Sequence, residues 1–515
     1  MIAEDDKLSE LVSAIEEVSS APADFWQVTA IIESLGYTDR VIQQEFGFSD
    51  ALSLGKYVYE NHNFSLAAKV IKPKKKFWRN LLKEMQIFIE QFSQSFVFAL
   101  PLLLILLLES LDVDNQSPLL PPELASLITL ATMASLTISG GFVQMISRRG
   151  EFYLKLGEPI QARRVCLPII YLGTATSIIV GLLGLWFGFY QGQFADEYLI
   201  LAAVYYLVLS LLWMLLAAVG IQLRWCTPII MLGLSGLFVL LRVWINLDAL
   251  TAQIISMFAT LLVVICLVGF GFGKDKKASQ TTATKVPLPR LSALVYLLAP
   301  YFFYGIAYFS FIFGDRIVAG WAVNPASGLV FAIHADYQQA MDLALINFLL
   351  LVPFVEYLSY RFISYWFKNS KNLNVTKLAK FYRQLSYRYW LTVGLTVIFF
   401  SLCVTITFLL LKPESWSLQT NLQSLFGCLG YLFFVIGLLN SILLFSLNQA
   451  AMVVKSIIPA LVLNLTLGYI LANLINPDCA VIGLVTAAIL FMLRSTHKVS
   501  QVMKQPDYIY YLAGY

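Results

Sequence analysis

Apolar segments of about 20 residues alternate with short polar stretches from residue 90 to residue 495. A helix needs about 20 predominantly apolar residues to cross the hydrocarbon core of a bilayer. The pattern therefore predicts twelve membrane-spanning helices. We expect them at residues 90–110, 123–146, 165–190, 197–221, 227–246, 250–272, 293–314, 338–361, 389–411, 423–446, 453–474 and 479–495.

The first 68 residues follow a different pattern, in which apolar residues recur at three- and four-residue spacing between charged ones. This predicts a small cytosolic helical unit at residues 1–68 and no cleavable secretory signal. The unit is either a self-contained packing appendage or a docking site for a cytosolic partner. Residues 69–89 follow as a basic amphipathic juxtamembrane segment, for which we expect membrane lipid, and not nucleic acid, as the partner.

The Lys and Arg residues fall on one side of the predicted spans. Of the 35 in the chain, only Arg242, Arg316 and Lys412 lie at outer or embedded positions. By the positive-inside rule this predicts a multi-pass cell (inner) membrane protein with cytoplasmic N- and C-termini. The outer side collects acidic residues, which favours the exit of neutral or cationic material over anionic material.

A polar, basic linker at residues 274–290 divides the predicted spans six and six. Halves with an even number of spans keep the same orientation and enclose a cavity between them. The predicted fold class is an all-α polytopic membrane protein of two six-helix lobes. The lobes are expected at residues 90–273 and 291–496, with a cytosolic tail at residues 497–515.

The amino-acid composition limits the kinds of site that the chain is expected to contain. Of the 515 residues, 59% are apolar and 13% are charged. The charged fraction is far below that of globular proteins. The six cysteines form no CxxC pair and the three histidines are far apart, so we expect no disulfide framework, metal site or cofactor. The chain carries no phosphate-binding GxxxxGK[ST] loop and offers no soluble domain for a catalytic site. We therefore predict that it is not an enzyme.

An aromatic stripe with i, i+3, i+7 and i+10 spacing runs along one helical face of residues 291–321 and ends in a charge pair. Pro300 and Gly305 are expected to break this helix. Two interpretations are open: a lipid-facing aromatic belt with interfacial charges, or the lining of a path for a polar substrate. The stripe comprises Tyr301, Tyr304, Tyr308 and Phe311, and the charge pair is Asp315 and Arg316.

Three further charges lie within predicted spans. Glu356 falls in the inner third of the span at 338–361, where a carboxylate must be paired, protonated or hydrated. It is interpreted either as a cavity or proton-coupling group or as a structural hydrogen-bond anchor. Asp342 can pair with Arg316 across the hairpin, which would make both a structural latch. Arg242 lies near the outer end of its span, where it can snorkel. Amides that serve either as interhelical contacts or as substrate contacts are Asn347, Asn440, Asn464 and Asn473.

Two segments, YFFYGIAYFSFIFGDRIVAGW and DYQQAMDLALINFLLLVPFVEYLSYRFISYW, resemble the Pel exopolysaccharide transporter (PelG) family. A weaker resemblance lies in TISGGFVQMISRRGEFYLKLGE. That family is a branch of the MOP superfamily of multidrug, oligosaccharidyl-lipid and polysaccharide flippases. The resemblance makes Asp315, Arg316 and Glu356 the matching positions.

This resemblance implies an inner-membrane exporter that works by alternating access. Its substrate would be an exopolysaccharide or a lipid-linked oligosaccharide supplied by a cytosolic glycosyltransferase. A second hypothesis is a cation-coupled efflux transporter for small amphiphiles, with Glu356 as the proton carrier. A third is a non-transporting membrane scaffold whose helical unit recruits a glycan synthase.

Overall fold

The computed structural model describes residues 2–19, 22, 24–35, 37, 39–62, 85–86, 88–89, 121–155, 158–223, 226–281, 291–322, 331–332, 334–370, 378–411 and 416–505. The contacts within the chain divide it into two units, Met1–Glu84 and Met85–Tyr515. The first unit has one apolar core and the second unit has two.

The N-terminal unit contains four short amphipathic helices. Asp24 and Asp50 cap the second and fourth of them, because each carboxylate accepts a hydrogen bond from a backbone N–H in the first turn. Leu11, Ile32 and Leu54 are among the buried residues that form its core. The helices are α1 (Ile2–Val18), α2 (Phe25–Ser34), α3 (Asp39–Glu45) and α4 (Ala51–Asn61).

In the part of the second unit that the structure describes, eleven helices are long and apolar enough to cross a membrane. Each overlaps one of the predicted spans, and the remaining prediction, at 90–110, lies outside the described residues. These helices are α5 (Pro122–Lys155), α6 (Pro159–Gln191), α7 (Asp196–Gln222), α8 (Cys226–Val239, continued by a π-helical turn at Leu240–Trp244), α9 (Ala249–Thr281), α10 (Leu291–Ala322), α11 (Ala335–Ser370), α12 (Leu378–Leu411), α13 (Leu418–Ser446), α14 (Ala450–Leu474) and α15 (Ala480–Met503).

The eleven helices form two lobes that follow the order of the chain. Helix α7 packs against α5, α6 and α9 around one apolar core. Helices α10 to α15 surround a second core, in which α13 and α14 pack on α15, α11 packs on α13, and α10 packs on α14. The two cores place the boundary between the lobes at the break between α9 and α10.

Helix α10 is continuous from Leu291 to Ala322, although Pro300 lies inside it. The prediction that Pro300 and Gly305 break this helix is therefore wrong. Membrane helices tolerate an internal proline because neighbouring helices can satisfy the carbonyl group that it frees.

Gly305 instead lies at a close contact between the backbones of α5 and α10. A Cβ atom added to Gly305 would overlap the Gly140 carbonyl oxygen and lie 2.8 Å from Gly141 Cα. The Phe302 and Phe309 rings of α10 cover the same two glycines of α5. Backbone-to-backbone contact of this kind is typical of membrane helices that meet through small residues.

We predict that Gly305→Ala destabilises the protein, because the new methyl group meets backbone atoms that cannot move aside. Overpacking of this kind costs about 1–3 kcal/mol of unfolding free energy. Thermal unfolding of the purified protein in detergent measures the effect as a lower Tm. The matched control is Gly394→Ala, since a Cβ atom at Gly394 of α12 meets nothing within 4 Å. A Tm that falls equally in both variants would contradict the close contact.

Candidate functional site

A cavity of about 980 Å³ lies between the two lobes. Helices α5, α7, α8 and α9 form one wall, and α10 and α11 form the other. Most of the lining is apolar or aromatic, and a few polar side chains interrupt it. Such a composition is typical of pockets that bind organic ligands. The charged and amide-bearing residues that line it are Gln144, Glu151, Gln253, Arg316, Gln338, Asp342 and Glu356.

One face of α11 supplies three of these polar groups. Gln338, Asp342, Leu349, Val352 and Glu356 all line the cavity, at spacings of three, four and seven residues. Residues at this spacing lie on the same side of a helix. Asp342 and Glu356 are separated by about 21 Å along the helix axis, at a rise of about 1.5 Å per residue. The cavity therefore has one carboxylate near each end of this wall and an apolar middle.

On α10 the cavity face differs from the predicted aromatic face. Tyr308, Ile312 and Arg316 line the cavity. Phe311 and Asp315 are fully buried on the other side of the helix. Tyr308 therefore lies at the edge between the cavity face and the buried aromatic face of α10. The predicted charge pair is divided between these faces, with Arg316 on the first and Asp315 on the second.

The predicted aromatic stripe packs against α13, within the C-terminal lobe. Tyr301 and Tyr304 contact the Phe445 ring, and the Phe311 ring stacks on Phe434 with centroids 4.5 Å apart. Of the four stripe residues, Tyr308 alone lines the cavity among the described residues. For the other three the structure favours a packing role over both interpretations given for the stripe.

The pairing predicted across the hairpin is present. Arg316 Nη1 lies 2.8 Å from Asp342 Oδ1. Gln338 Nε2 donates to the same carboxylate at 3.1 Å. Next to this pair, the Tyr337 hydroxyl donates to Asp315 Oδ2 at 2.8 Å. Arg316 is therefore paired with Asp342, while the Asp315 carboxylate next to it in the chain is held by Tyr337.

This cluster holds unused hydrogen-bonding capacity. Within the described residues, Nε and Nη2 of Arg316 and Oδ1 of Asp315 have no hydrogen-bond partner. All three atoms are hidden from solvent. A buried polar group that lacks a hydrogen-bond partner is costly, and such groups are frequent at functional sites.

Glu356 and Glu151 line the cavity from opposite lobes. Both are carboxylates of membrane helices, and Glu356 is half-buried. Glu151 was not among the predicted site residues, nor were Gln144, Gln253 and Tyr205. Gln253 Nε2 donates to the Tyr205 hydroxyl at 2.9 Å and joins two helices of the N-terminal lobe.

Arg242 lies outside the cavity lining. It belongs to the π-helical turn Leu240–Trp244, and its Nη1 donates to the Leu247 carbonyl oxygen at 3.2 Å. This contact fixes the loop between α8 and α9, in which Asn246 has a φ of 55°. The geometry supports a local structural role for Arg242.

The fold is similar to that of solved MATE transporters. A mutant of the Vibrio cholerae MATE transporter VcmN matches with a TM-score of 0.56 and 14% sequence identity, covering 84% of this chain and all (100%) of that one. The eukaryotic MATE transporter AtDTX14 matches with a TM-score of 0.54 and 12% identity, over 83% and 99% of the two chains. An outward-facing multidrug resistance MATE family transporter of the MOP superfamily matches with a TM-score of 0.54 and 15% identity, and the match covers 81% of this chain and 96% of that one.

No protein-family model matches the sequence, and no curated protein matches it. At these sequence identities the structural likeness establishes the fold. The chain is a multi-pass membrane protein with the two-lobed MATE fold, which confirms the predicted fold class. The narrower resemblance to Pel exporters stays a prediction.

We predict that Asp342→Asn strongly destabilises the protein, because it leaves the buried Arg316 guanidinium without its ion-pair partner. Removing one partner of a buried ion pair costs about 3–5 kcal/mol. Thermal unfolding in detergent measures the loss. The matched control on the same helix is Asp336→Asn, since Asp336 is exposed in the first turn of α11.

The double variant Arg316→Gln/Asp342→Asn removes both charges of the pair and should recover part of the lost stability. If the loss of unfolding free energy in the double variant equalled the sum of the losses in Arg316→Gln and Asp342→Asn, the two side chains would not be coupled.

Proposed function

We propose that this protein is a membrane transporter that works by alternating access. The observation that carries the proposal is the cavity of about 980 Å³ between two lobes that each supply one wall. The lobes meet at a glycine contact that allows α5 and α10 to approach closely. A change in the angle between the lobes would open the cavity to one side of the membrane or to the other.

For the substrate we propose a polysaccharide or a lipid-linked oligosaccharide. Aromatic rings line the middle of the cavity, and such rings stack on the apolar faces of sugars. The resemblance of the α10 and α11 segments to the Pel family supports the same class. On this proposal the protein is an inner-membrane exporter with cytoplasmic termini, as its charge asymmetry predicts. Lining residues that offer rings are Tyr205, Trp213, Phe238, Tyr308, Phe309, Phe313 and Phe348.

A second candidate is a cation-coupled efflux transporter for small amphiphiles. One structural neighbour is described as a multidrug resistance MATE family transporter, which supports this candidate. Glu356 and Glu151 provide two carboxylates on the cavity wall that could carry the coupling proton. The cavity volume is near the upper end for small-molecule pockets, so it fits either substrate class.

Glu356→Gln separates transport from a scaffold role. The deletion strain, complemented with wild type, Glu356→Gln or the control Asp336→Asn, is assayed for cell-surface polysaccharide. We expect wild type and Asp336→Asn to restore the polysaccharide and Glu356→Gln to restore much less, since a glutamine can neither carry a charge nor release a proton at this position. A scaffold would tolerate Glu356→Gln. Surface polysaccharide that is unchanged by the deletion would exclude the exporter and direct the assay to dye efflux.

The N-terminal unit is proposed as the docking site for a cytosolic glycosyltransferase, because it has an apolar core of its own. In the same strain, residues 69–515 should reach the membrane at normal levels and fail to restore surface polysaccharide. Full restoration would make residues 1–68 a dispensable appendage.

A further inference from the structure

A second cavity, of about 670 Å³, lies between the C-terminal part of α11 and the first turns of α12. Tyr365 supplies the α11 side. Lys380, Arg383, Tyr387 and Arg388 supply the α12 side, together with Gln384. This cavity shares no lining residue with the cavity between the lobes.

The second cavity is strongly basic. Lys380, Arg383 and Arg388 lie at spacings of three, five and eight residues, and all three are exposed. None of the described residues that line it is acidic, and α12 contains no Asp or Glu between Leu378 and Leu411. The positive charge is therefore uncompensated by the lining.

One of these cations is already held in place. The Arg388 guanidinium carbon lies 3.7 Å from the centre of the Tyr365 ring, which is a cation–π contact between the two helices. This contact closes one wall of the cavity. Lys380 and Arg383 are then the cations that remain to bind a ligand.

The position along α12 places the cavity at the membrane surface. From Leu391 the helix is apolar up to Leu411, and its most apolar window has a mean hydropathy of 2.5. Just before this apolar part, Tyr387 and Trp390 are 70% and 58% exposed. Exposed Tyr and Trp at the end of an apolar segment mark the level of the lipid headgroups.

We propose that this cavity is a binding site for the phosphate group of an anionic phospholipid. Lys380 and Arg383 contact the phosphate, Tyr387 and Gln384 contribute polar groups, and the acyl chains run along the exposed Leu391 side of α12. Basic pockets between membrane helices bind anionic lipid headgroups in this way. A bound lipid would tie the end of α11 to α12, and α11 carries both Asp342 and Glu356.

The test uses the full chain in nanodiscs of phosphatidylcholine to which phosphatidylglycerol is added in steps, with bound lipid counted by native mass spectrometry. The variant is Lys380→Gln/Arg383→Gln. The matched control is Lys455→Gln/Lys504→Gln, which removes two exposed cations that do not line this cavity. We expect a preference for phosphatidylglycerol that the variant weakens about 25-fold, at about a factor of five for each cation near the surface, and that the control retains.

Two further arms identify the source of the phosphate. Soluble glycerol phosphate and inorganic phosphate should compete poorly, and raising the salt concentration should weaken lipid binding. Competition by free phosphate as strong as by the lipid would overturn the proposal. So would equal loss in the control variant, or equal binding of phosphatidylcholine. Binding of a diphosphate-linked glycolipid in preference to phosphatidylglycerol would also overturn it and would assign the cavity to the substrate path.

Discussion

The architecture depends on the backbone contact between Gly140 of α5 and Gly305 of α10. Two membrane helices can approach this closely only where neither has a side chain at the contact. The Phe302 and Phe309 rings pack over the glycines and fill the remaining space. Because the lobes touch through these small residues, the surfaces on either side of the contact can diverge, and the cavity occupies the space between them.

The second constraint is the cost of charge in an apolar surrounding. Asp315 and Arg316 are buried, and Asp342 is partly exposed to the cavity; Tyr337 and Gln338 donate hydrogen bonds to the two carboxylates. A buried ion pair contributes little net stability, but loss of one partner is expensive. The cluster therefore favours arrangements in which the guanidinium group keeps a carboxylate, which limits how α10 and α11 can move relative to each other.

Much of the fold could be predicted from sequence, because span length and the distribution of Lys and Arg are set by the bilayer itself. The Arg316–Asp342 pair could also be predicted, since both charges lie near the same end of adjacent spans. The rotation of α10 about its own axis, which decides which of its faces lines the cavity, could not be predicted. Spacing shows that Tyr308, Phe311 and Asp315 share a face, but in a helix that is apolar all round it does not show which neighbour covers that face. Glu151 was missed for a related reason: it follows Arg148 and Arg149 at the end of a span, where a solvated charge is ordinary.

Gly305 lies near the middle of α10, and Gly140 lies near the middle of α5. A pivot point near the middle of both helices determines how the gap between the lobes changes at its two ends. Any tilt of one lobe on the other that widens the gap at one membrane surface narrows the gap at the opposite surface by a comparable amount. On the proposed function, both mouths would then not be wide at once, and the position of two glycines would contribute a barrier against leakage.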